Sequence, residues 1–501
     1  MSACYDFCFV GSGPASAFAA NELANKGYSV VVVEAGNLNL NSNINENVDV
    51  KNSNFNGSID FGFSNQIGGS SNLWAGGLAK MDMIDLVARP KFNFLKWPIE
   101  HDQLLELYKR VNKIINLNLN QFADDSFFKK SKDLVGRKMI LMDKPFNTKN
   151  LICDISNILL LQNHSAYKLH LTEFKDSISF LESIDRDSHK SINIKAKNYI
   201  LGAGSINNIR LLLHSLEDIK DDREIFYNQI GRYFSTHPKG NLGKITFKNS
   251  EDLFTFLEIN HSFNSTYRYQ IGFKKSFLEK NDLLNHSIRI ESTLALRTMK
   301  VIDFVKKLLT KIKFLRKNTK FLNFLSKIGV VVYQVVERLK PAKKGGNYFV
   351  VRGFFDQKSS MRNRVYLSEK KSSSGLPLAI INWDFNSNDW KNVETFLDKL
   401  QQELLVAEIG ALEINLPKGK EFTGIHSHFI GGTRVGSSET ESVVNENLKV
   451  HGFKNLYVSG PSVFPSFGYA NPFYTIAALS LRLSDHLADK EKKSSIKNEN
   501  A

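Results

Sequence analysis

YDFCFVGSGPASAFAANELANKGYSVVVVE occupies residues 5–34 and predicts a strand, a helix and a second strand in that order. Residues 5–10 are apolar and aromatic, as in a short buried strand. An alanine-rich helix is expected over 18–26, with Gly27 as its C-cap, and a second strand over 28–33. Such a strand–helix–strand unit is typical of doubly wound α/β folds.

A glycine motif joins the first strand to the helix. Gly11 permits a tight turn, and Gly13, after Ser12, lets the backbone approach a pyrophosphate beside the free N–H groups of the helix N-terminus. Ser16 replaces the usual third glycine or alanine but is still small. Glu34 lies 23 residues after Gly11 and can accept hydrogen bonds from ribose hydroxyls. A tight turn that binds no ligand is the alternative, but the complete pattern favours a dinucleotide site.

The composition limits the class of protein. The chain has 501 residues, 42% hydrophobic and 23% charged, which predicts a globular protein of two or three domains. Its net charge of +15 would suit an anionic partner. Cys4, Cys8 and Cys153 form no CxxC pair and are too few for a disulfide scaffold, so no metal site is expected. No membrane-spanning stretch or targeting signal is recognisable, and we expect a cytoplasmic protein.

Three later glycine-rich segments would each be interpreted as a loop or turn in isolation. After a nucleotide-binding unit, such backbone favours close approach to a flat ligand. The segments are GGSSNLWAGG at 68–77, YILGAGS at 199–205, and NLYVSGPSVFP at 455–465, which is followed by GYANPFYTIAA at 468–478.

In this order and spacing, the chain resembles the glucose-methanol-choline (GMC) flavin oxidoreductases along nearly its whole length, and the bacterial carbohydrate-type members in particular. Further motifs that carry the resemblance are Trp97-Pro98-Ile99, Gly231-Arg232 with His237-Pro238, Asn363-Arg364-Val365-Tyr366-Leu367-Ser368, and HFIGGTRVG at 428–436.

The resemblance implies an α/β fold, in which a Rossmann-like FAD-binding domain of separated segments is joined to a substrate domain with an antiparallel β-sheet. The expected boundaries are 1–90, 151–240 and 421–488 for the FAD-binding domain, 91–150 for a helical cap, 241–420 for the substrate domain, and 489–501 for a disordered tail.

FAD is the cofactor that the resemblance implies. Some sugar-oxidising relatives attach FAD through a histidine just before the loop tryptophan; Leu73 occupies that position, so non-covalent FAD is expected. Many members carry Asp-Gly where this chain has Gly460-Pro461, which puts any contact from that aspartate to the ribityl chain in doubt. The expected cofactor-binding residues are Gly11, Ser12, Gly13, Ser16, Glu34, Ser70, Ser71, Asn72, Leu73, Gly460 and Pro472.

Two residues are the candidates for catalysis. His428 matches the histidine that opens the family's His-x-x-Gly-x-x-x-x-Gly segment, and a histidine is largely neutral at pH 7 and can take a hydroxyl proton. Asn471 occupies the family's second His/Asn position, where it would orient the substrate oxygen; with Pro472 it also matches a helix N-cap followed by proline. His426 and His237 are interpreted mainly as packing residues.

The expected reaction passes hydride from an alcohol carbon to flavin N5, while His428 acts as the general base. A sugar or glycoconjugate alcohol is the favoured donor, and a sterol-type alcohol is an alternative. Because the family includes hydroxynitrile lyases, a redox-inert flavoprotein lyase is a second alternative, and a membrane-surface protein that merely retains the fold is a third.

A basic segment at 297–344 carries 14 Lys and Arg against Asp303 and Glu337. Apolar residues recur at helical spacing, with lysines on the opposite face. This pattern fits a solvated helix pair or an amphipathic element on an anionic membrane surface, and both remain open. No nucleic-acid partner is expected, because no known binding module accompanies the charge.

Overall fold

The computed structural model describes residues 4–38, 47–51, 53, 64–117, 130–142, 144–249, 267–292, 349–416 and 424–499. The basic segment at 297–344 lies outside these residues, so its two interpretations stay predictions. In the described part of the chain, no helix combines the length and the apolar character needed to cross a bilayer.

Seventeen strands are described. They are β1 Cys4–Val10, β2 Val30–Val33, β3 Gly77–Ala79, β4 Leu134–Leu141, β5 Ile158–Leu161, β6 His164–Leu171, β7 Ile178–Asp185, β8 Ser191–Leu201, β9 Ser235–Phe247, β10 Tyr267–Phe273, β11 Ser287–Ser292, β12 Phe349–Phe354, β13 Arg364–Lys371, β14 Pro377–Asn382, β15 Gly410–Ile414, β16 Gly424–Ile430 and β17 Leu456–Val458.

The α-helices are α1 Pro14–Asn25, α2 Met83–Leu86, α3 His101–Ile114, α4 Ser205–Ser215, α5 Glu224–Tyr227, α6 Lys275–Lys280, α7 Ser387–Val406 and α8 Phe473–Glu499. Short 3-10 turns cover Gly69–Asn72, Pro90–Phe92, Thr148–Leu151, Glu217–Ile219 and Pro461–Val463.

The first sheet has the strand order β5-β2-β1-β8-β7-β6, with β17 also paired to β8. β1 is parallel to β2 and to β8, so Cys8 lies beside Val31 on one side and Tyr199 on the other. Residues 7–10 of β1 and all four valines of β2 are buried, as expected for central parallel strands covered on both faces. Helices α1 and α8 pack together through Ser480, whose Oγ donates to the Ala15 carbonyl at 2.9 Å and accepts from Ala19 N at 3.0 Å.

The second sheet is antiparallel, with the order β15-β9-β12-β11-β10-β4-β3 and with β16 added to β9. Three of its strands fall outside the boundaries expected for the substrate domain. β3 and β16 lie in segments assigned to the FAD-binding domain, and β4 lies in the segment assigned to a helical cap. The chain therefore crosses between the two sheets more often than the sequence suggests.

The C-terminal tail also differs from the sequence prediction. Disorder was expected over 489–501, whereas α8 continues to Glu499. The extension is held against β8 at Asn198, whose Nδ2 donates to Glu491 Oε1 at 2.9 Å and whose Oδ1 accepts from Lys490 Nζ at 2.7 Å. Composition alone did not indicate this anchor.

A buried polar cluster supports the face of the second sheet nearest the catalytic segment. Arg137 donates from Nε to Asp82 at 2.8 Å and from Nη1 to the His286 carbonyl at 2.8 Å. Asn285 donates to the buried carboxylate of Asp85 at 2.9 and 3.0 Å. A Cβ added to Gly468 would lie 2.5 Å from that carboxylate, so the cluster packs directly beneath the segment that leads to Asn471.

Asp356 in the same region provides a test of this buried environment. The residue is fully buried, and desolvation raises its pKa from 3.8 to about 7. Since the folded protein holds this proton more tightly than the unfolded chain, the stabilising contribution is present at low pH and is lost as the pH rises toward 7. We expect Asp356→Asn to gain stability relative to the wild type between about pH 4 and 7, by up to roughly 1.4 kcal/mol per pH unit, and then to level off.

Urea denaturation between pH 4 and 8 measures this difference. Asp398→Asn, at an exposed position of α7, is the matched control and should show little pH-dependent difference. A constant gap between Asp356→Asn and the wild type would contradict the buried-carboxyl assignment.

Candidate functional site

The predicted glycine motif forms a tight turn between β1 and α1. Gly11 has φ +87°, and a Cβ there would lie 2.8 Å from the Ala203 Cα, so both backbone conformation and space require glycine. Gly13 is the N-cap of α1 and makes no side-chain capping bond, and Pro14 follows at the start of the helix. Pro14 has no N–H, and Ser16 N and Ala17 N donate to the Gly13 carbonyl at 3.0 and 2.9 Å, so Ala15 N is the first-turn donor that can bind an anion beside the positive end of the helix.

Glu34 lies buried beneath this turn. Its Oε2 accepts hydrogen bonds from Ser12 N at 2.9 Å and Ser12 Oγ at 2.6 Å, and its Oε1 accepts from Gly36 N at 2.9 Å. Burial raises the pKa of Glu34, while these hydrogen bonds act in the opposite direction. A carboxylate has about four acceptor positions, so three bonds leave room for a ribose hydroxyl.

The loop at 68–77 packs against the same turn. Gly68 N donates to Ser12 Oγ at 3.0 Å, and a Cβ on Gly69 would lie 3.1 Å from the Gly13 Cα. Ser71 Oγ donates to the Gly68 carbonyl at 2.6 Å, and Asn72 Nδ2 donates to the Gly69 carbonyl at 2.8 Å. Ser71 and Asn72 thus shape the loop itself, whereas the neighbouring Ser70 and Leu73 are exposed.

An aromatic stack brings this loop to the start of α8. The rings of Trp74 and Phe473 lie 3.9 Å apart at an interplanar angle of 14°. On the other side of α1, Gly460 has φ +103°, and a Cβ on it would lie 3.0 Å from the Ala15 Cβ. Segments predicted separately from the sequence therefore surround α1 and its glycine turn, and Pro472 sits beside the Trp74 stack at the start of α8.

The small residue at position 16 has a packing role. A Cβ on Gly202 would lie 2.1 Å from Ser16 Oγ, so helix α1 approaches the end of β8 closely. Asn208, for which the sequence predicted no role, links the two sides of this junction. Its Oδ1 accepts from Ala203 N at 2.9 Å, and its Nδ2 donates to the Ser459 carbonyl at 3.1 Å. The feature of the sequence that could have identified Asn208 is its position in the helix that follows the LGAGS turn.

The catalytic candidate His428 forms a pair with His237. Their Nδ1 atoms are 3.1 Å apart, and the rings meet edge to face at 82°. His237 is buried and His428 is partly exposed. Desolvation lowers the pKa of His237 to about 3 and holds the pKa of His428 well below 6.5, so both rings are neutral at pH 7.

His237 was interpreted from the sequence as a packing residue, and the structure places it in direct contact with His428. The His-Pro motif was visible in the sequence, but nothing local indicated which residue it faces. For His426 only the backbone is described, and it pairs with His237 across β16 and β9.

The segment 467–471 connects the histidine pair to Asn471. The Phe467 ring lies 4.7 Å from the His237 ring. Four residues later, Asn471 Nδ2 donates to the Gly77 carbonyl at 3.1 Å and contacts Met139 Sδ at 3.7 Å. Among the described residues its side chain makes no helix-capping bond, and α8 begins at Phe473. Asn471 is therefore tied to β3 and β4, and the N-cap interpretation is not supported.

The glycine cradle, the uncapped helix and the buried acid fit the pyrophosphate and ribose of a dinucleotide such as FAD. Among the described residues, no cluster of three or more His, Cys, Asp or Glu could hold a metal ion.

Comparison with known proteins identifies the family that part of the chain matches. The family model for GMC oxidoreductase matches residues 359–480, which include His428, Gly460 and Asn471. The match covers 122 of the chain's 501 residues. The predicted resemblance to this family is confirmed over the matched residues. The predicted α/β fold with an antiparallel second sheet is confirmed by solved structures of the same fold.

Curated relatives match this chain over part of their length. 2-Methyl-1,2-propanediol dehydrogenase of Mycolicibacterium austroafricanum is 30% identical over 149 residues, which are 28% of this chain and 26% of that protein. Fructose dehydrogenase large subunit of Gluconobacter japonicus is 29% identical over 131 residues, or 26% and 23% of the two chains. 6'''-Hydroxyparomomycin C oxidase of Streptomyces lividus is 30% identical over 129 residues, also 26% and 23%. The matched region is thus about a quarter of each relative's length.

Solved structures match the fold over nearly the whole chain. Pyridoxine 4-oxidase from Mesorbium loti aligns with a TM-score of 0.56 at 15% identity, covering 97% of this chain and 99% of that one. Formate oxidase of Aspergillus oryzae RIB40 aligns with a TM-score of 0.58 at 15% identity, covering 98% and 99%.

The glycine turn yields a prediction about cofactor retention. We expect Gly11→Ala to lose most of its FAD, because the new Cβ would push β1 away from Ala203 and distort the cradle. The ratio of flavin to protein absorbance measures this. Gly27→Ala is the control, since Gly27 has φ +90° but a Cβ there meets nothing within 4 Å. That control should cost roughly 1–2 kcal/mol of stability and retain FAD. Full FAD occupancy in Gly11→Ala would contradict the assignment.

Proposed function

We propose that this protein is an FAD-dependent GMC oxidoreductase that oxidises the CH–OH group of a sugar or glycoconjugate alcohol, with His428 as the general base. The observation that carries the proposal is a neutral, partly exposed imidazole at position 428, hydrogen-bonded to a second neutral imidazole. The names of the partial relatives, a diol dehydrogenase, a fructose dehydrogenase and a hydroxyparomomycin oxidase, support a hydroxyl-bearing donor.

When bound, FAD supplies the acceptor for the hydride that leaves the alcohol carbon. His428 takes the hydroxyl proton, which a protonated imidazole could not do; its lowered pKa keeps it unprotonated at pH 7. Asn471 orients the substrate oxygen. Its amide nitrogen donates to the Gly77 carbonyl and to Met139 Sδ, and the thioether is a weak acceptor that a substrate oxygen can replace. An amide cannot serve as the base.

We further propose that FAD is bound non-covalently, with no covalent bond from the residue that precedes the loop tryptophan. Leu73, which precedes Trp74, has no nucleophilic atom that could bond to the flavin ring. We expect acid precipitation of the holoprotein to release all of the flavin into the supernatant and to leave a colourless pellet. Yellow colour in the washed pellet would show a covalent attachment.

The role of His428 is tested by anaerobic bleaching of the flavin with a panel of sugars, sugar alcohols and sterols. We expect His428→Ala to bleach roughly 10²–10⁴-fold more slowly than the wild type with the best donor, because the hydroxyl proton then lacks an acceptor. FAD content should be unchanged. His170→Ala replaces a partly exposed histidine of the first sheet and should bleach at the wild-type rate.

Two outcomes would contradict the proposal. Equal bleaching rates in His428→Ala and the wild type would exclude His428 as the base. Failure of every alcohol to bleach wild-type protein with full FAD occupancy would favour the redox-inert lyase instead.

A further inference from the structure

The backbone around His428 is irregular in a way that aims its side chain. β16 pairs with β9 so that His426 lies opposite His237 and Ile430 lies opposite Ser235. Four residues of β16 are therefore matched by two of β9, with a shift of register between the paired positions. Bulges of this kind redirect a side chain away from the regular alternation of a strand. In this structure the redirected ring meets His237.

The contact between the rings constrains where the protons lie. Each neutral imidazole carries one N–H and one lone pair. At 3.1 Å, the two Nδ1 atoms form a hydrogen bond only if one of them is protonated and the other is not. The shared proton therefore resides on His428 Nδ1 or on His237 Nδ1. The first arrangement leaves His428 Nε2 as a base, and the second places a proton on that nitrogen already.

We propose that His237 is a positioning residue for the reaction: its Nδ1 accepts a hydrogen bond from His428 Nδ1–H and thereby fixes the tautomer in which His428 Nε2 takes the substrate proton. This inference rests on the proposed role of His428 as the base.

The surroundings of His237 favour that arrangement. Its Nε2 is buried and makes no hydrogen bond of ordinary geometry with the described residues. The Gly468 backbone nevertheless favours a proton on the ring, which is the effect of a nearby acceptor. A proton on Nε2 leaves the Nδ1 lone pair directed at His428. Burial and the positive charge of Lys239 both oppose a second proton on His237, so it stays a neutral acceptor.

The same bond assists the chemical step. When His428 Nε2 receives the hydroxyl proton, the ring becomes a cation and its Nδ1–H bond to His237 becomes charge-assisted and stronger. The hydrogen bond to His237 therefore stabilises protonated His428 more than neutral His428. Desolvation and the positive charge of Lys239 both disfavour the His428 cation. The hydrogen bond to the neutral His237 ring acts in the opposite direction.

Histidine-labelled holoprotein tests the tautomer directly. A ¹⁵N–¹H correlation spectrum of the imidazole rings distinguishes Nδ1–H from Nε2–H, and a His428→Asn variant identifies the His428 signals. We expect the Nδ1–H tautomer of His428 in the wild type and its loss, or a mixture of tautomers, in His237→Leu. An Nε2–H tautomer of His428 in the wild type would overturn the inference.

Kinetics of the same variants provide the second readout. Fixing the tautomer of a catalytic histidine is worth up to about 10⁴-fold in rate. We expect His237→Leu to lower kcat by roughly 10²-fold or more with little change in KM, and to shift the acidic limb of the pH profile. His237→Asn keeps an acceptor oxygen near the position of Nδ1 and should recover most of the rate.

A matched control separates positioning from folding. His286 is a second fully buried histidine, with a pKa lowered to about 3, and its bonds are to Asn392 and the Asp356 backbone. We expect His286→Leu to lower thermal stability without changing the His428 tautomer. If His237→Leu only lowers stability, as this control does, and leaves tautomer and kcat unchanged, the inference is wrong. If His237→Leu does not fold, the wild-type spectrum and His237→Asn still decide it.

The two proposals fail in different ways. Unchanged activity in His428→Ala overturns the role of His428 as base, whatever the spectrum shows. An active wild type that needs His428 but carries it as the Nε2–H tautomer overturns the role of His237 alone.

Discussion

The close approach of two backbones at the first glycine turn is the constraint on which the nucleotide end depends. Gly11 faces Ala203, and Gly202 faces Ser16. A Cβ added to Gly202 would lie only 2.1 Å from the Oγ of Ser16. A side chain at Gly11 would force the ends of β1 and β8 apart and disturb the parallel register in which Cys8 lies beside Tyr199, and one at Gly202 would push α1 away from the end of β8. The turn can approach a ligand closely because its own packing excludes side chains.

A second constraint is that buried polar groups need partners. Arg137 occupies a site that a Cβ on Gly272 would fill, 1.5 Å from its Nη1, and it bonds to Asp82 and to the His286 carbonyl. Asp85 in the same cluster lies directly under Gly468. The second sheet thus supports the segment 467–471, which contacts His237 at one end and contains Asn471 at the other. The same segment leads into α8, which packs against α1 beside the first sheet.

Local patterns predicted the nucleotide end well. β1 and β2 lie where apolar runs predicted strands, and α1 begins at Pro14, a few residues earlier than expected. Glu34 directly follows the second strand, close to where it was expected, and its bonds to Ser12 explain why an acid is needed there. The signals sufficed because each depends on residues that are neighbours in sequence.

The sequence by itself determined the α/β fold class, the order of the elements around the glycine turn and the choice of His428 and Asn471 as candidates, and it predicted the family and the FAD cofactor. Only the tertiary structure decided that β3, β4 and β16 join the second sheet, and that His237 meets His428 across 191 residues of chain. Helix and strand periodicity reflects contacts a few residues apart. The meeting of two distant side chains depends on strand register and on a bulge, and a shift of one residue would turn His428 to the opposite face.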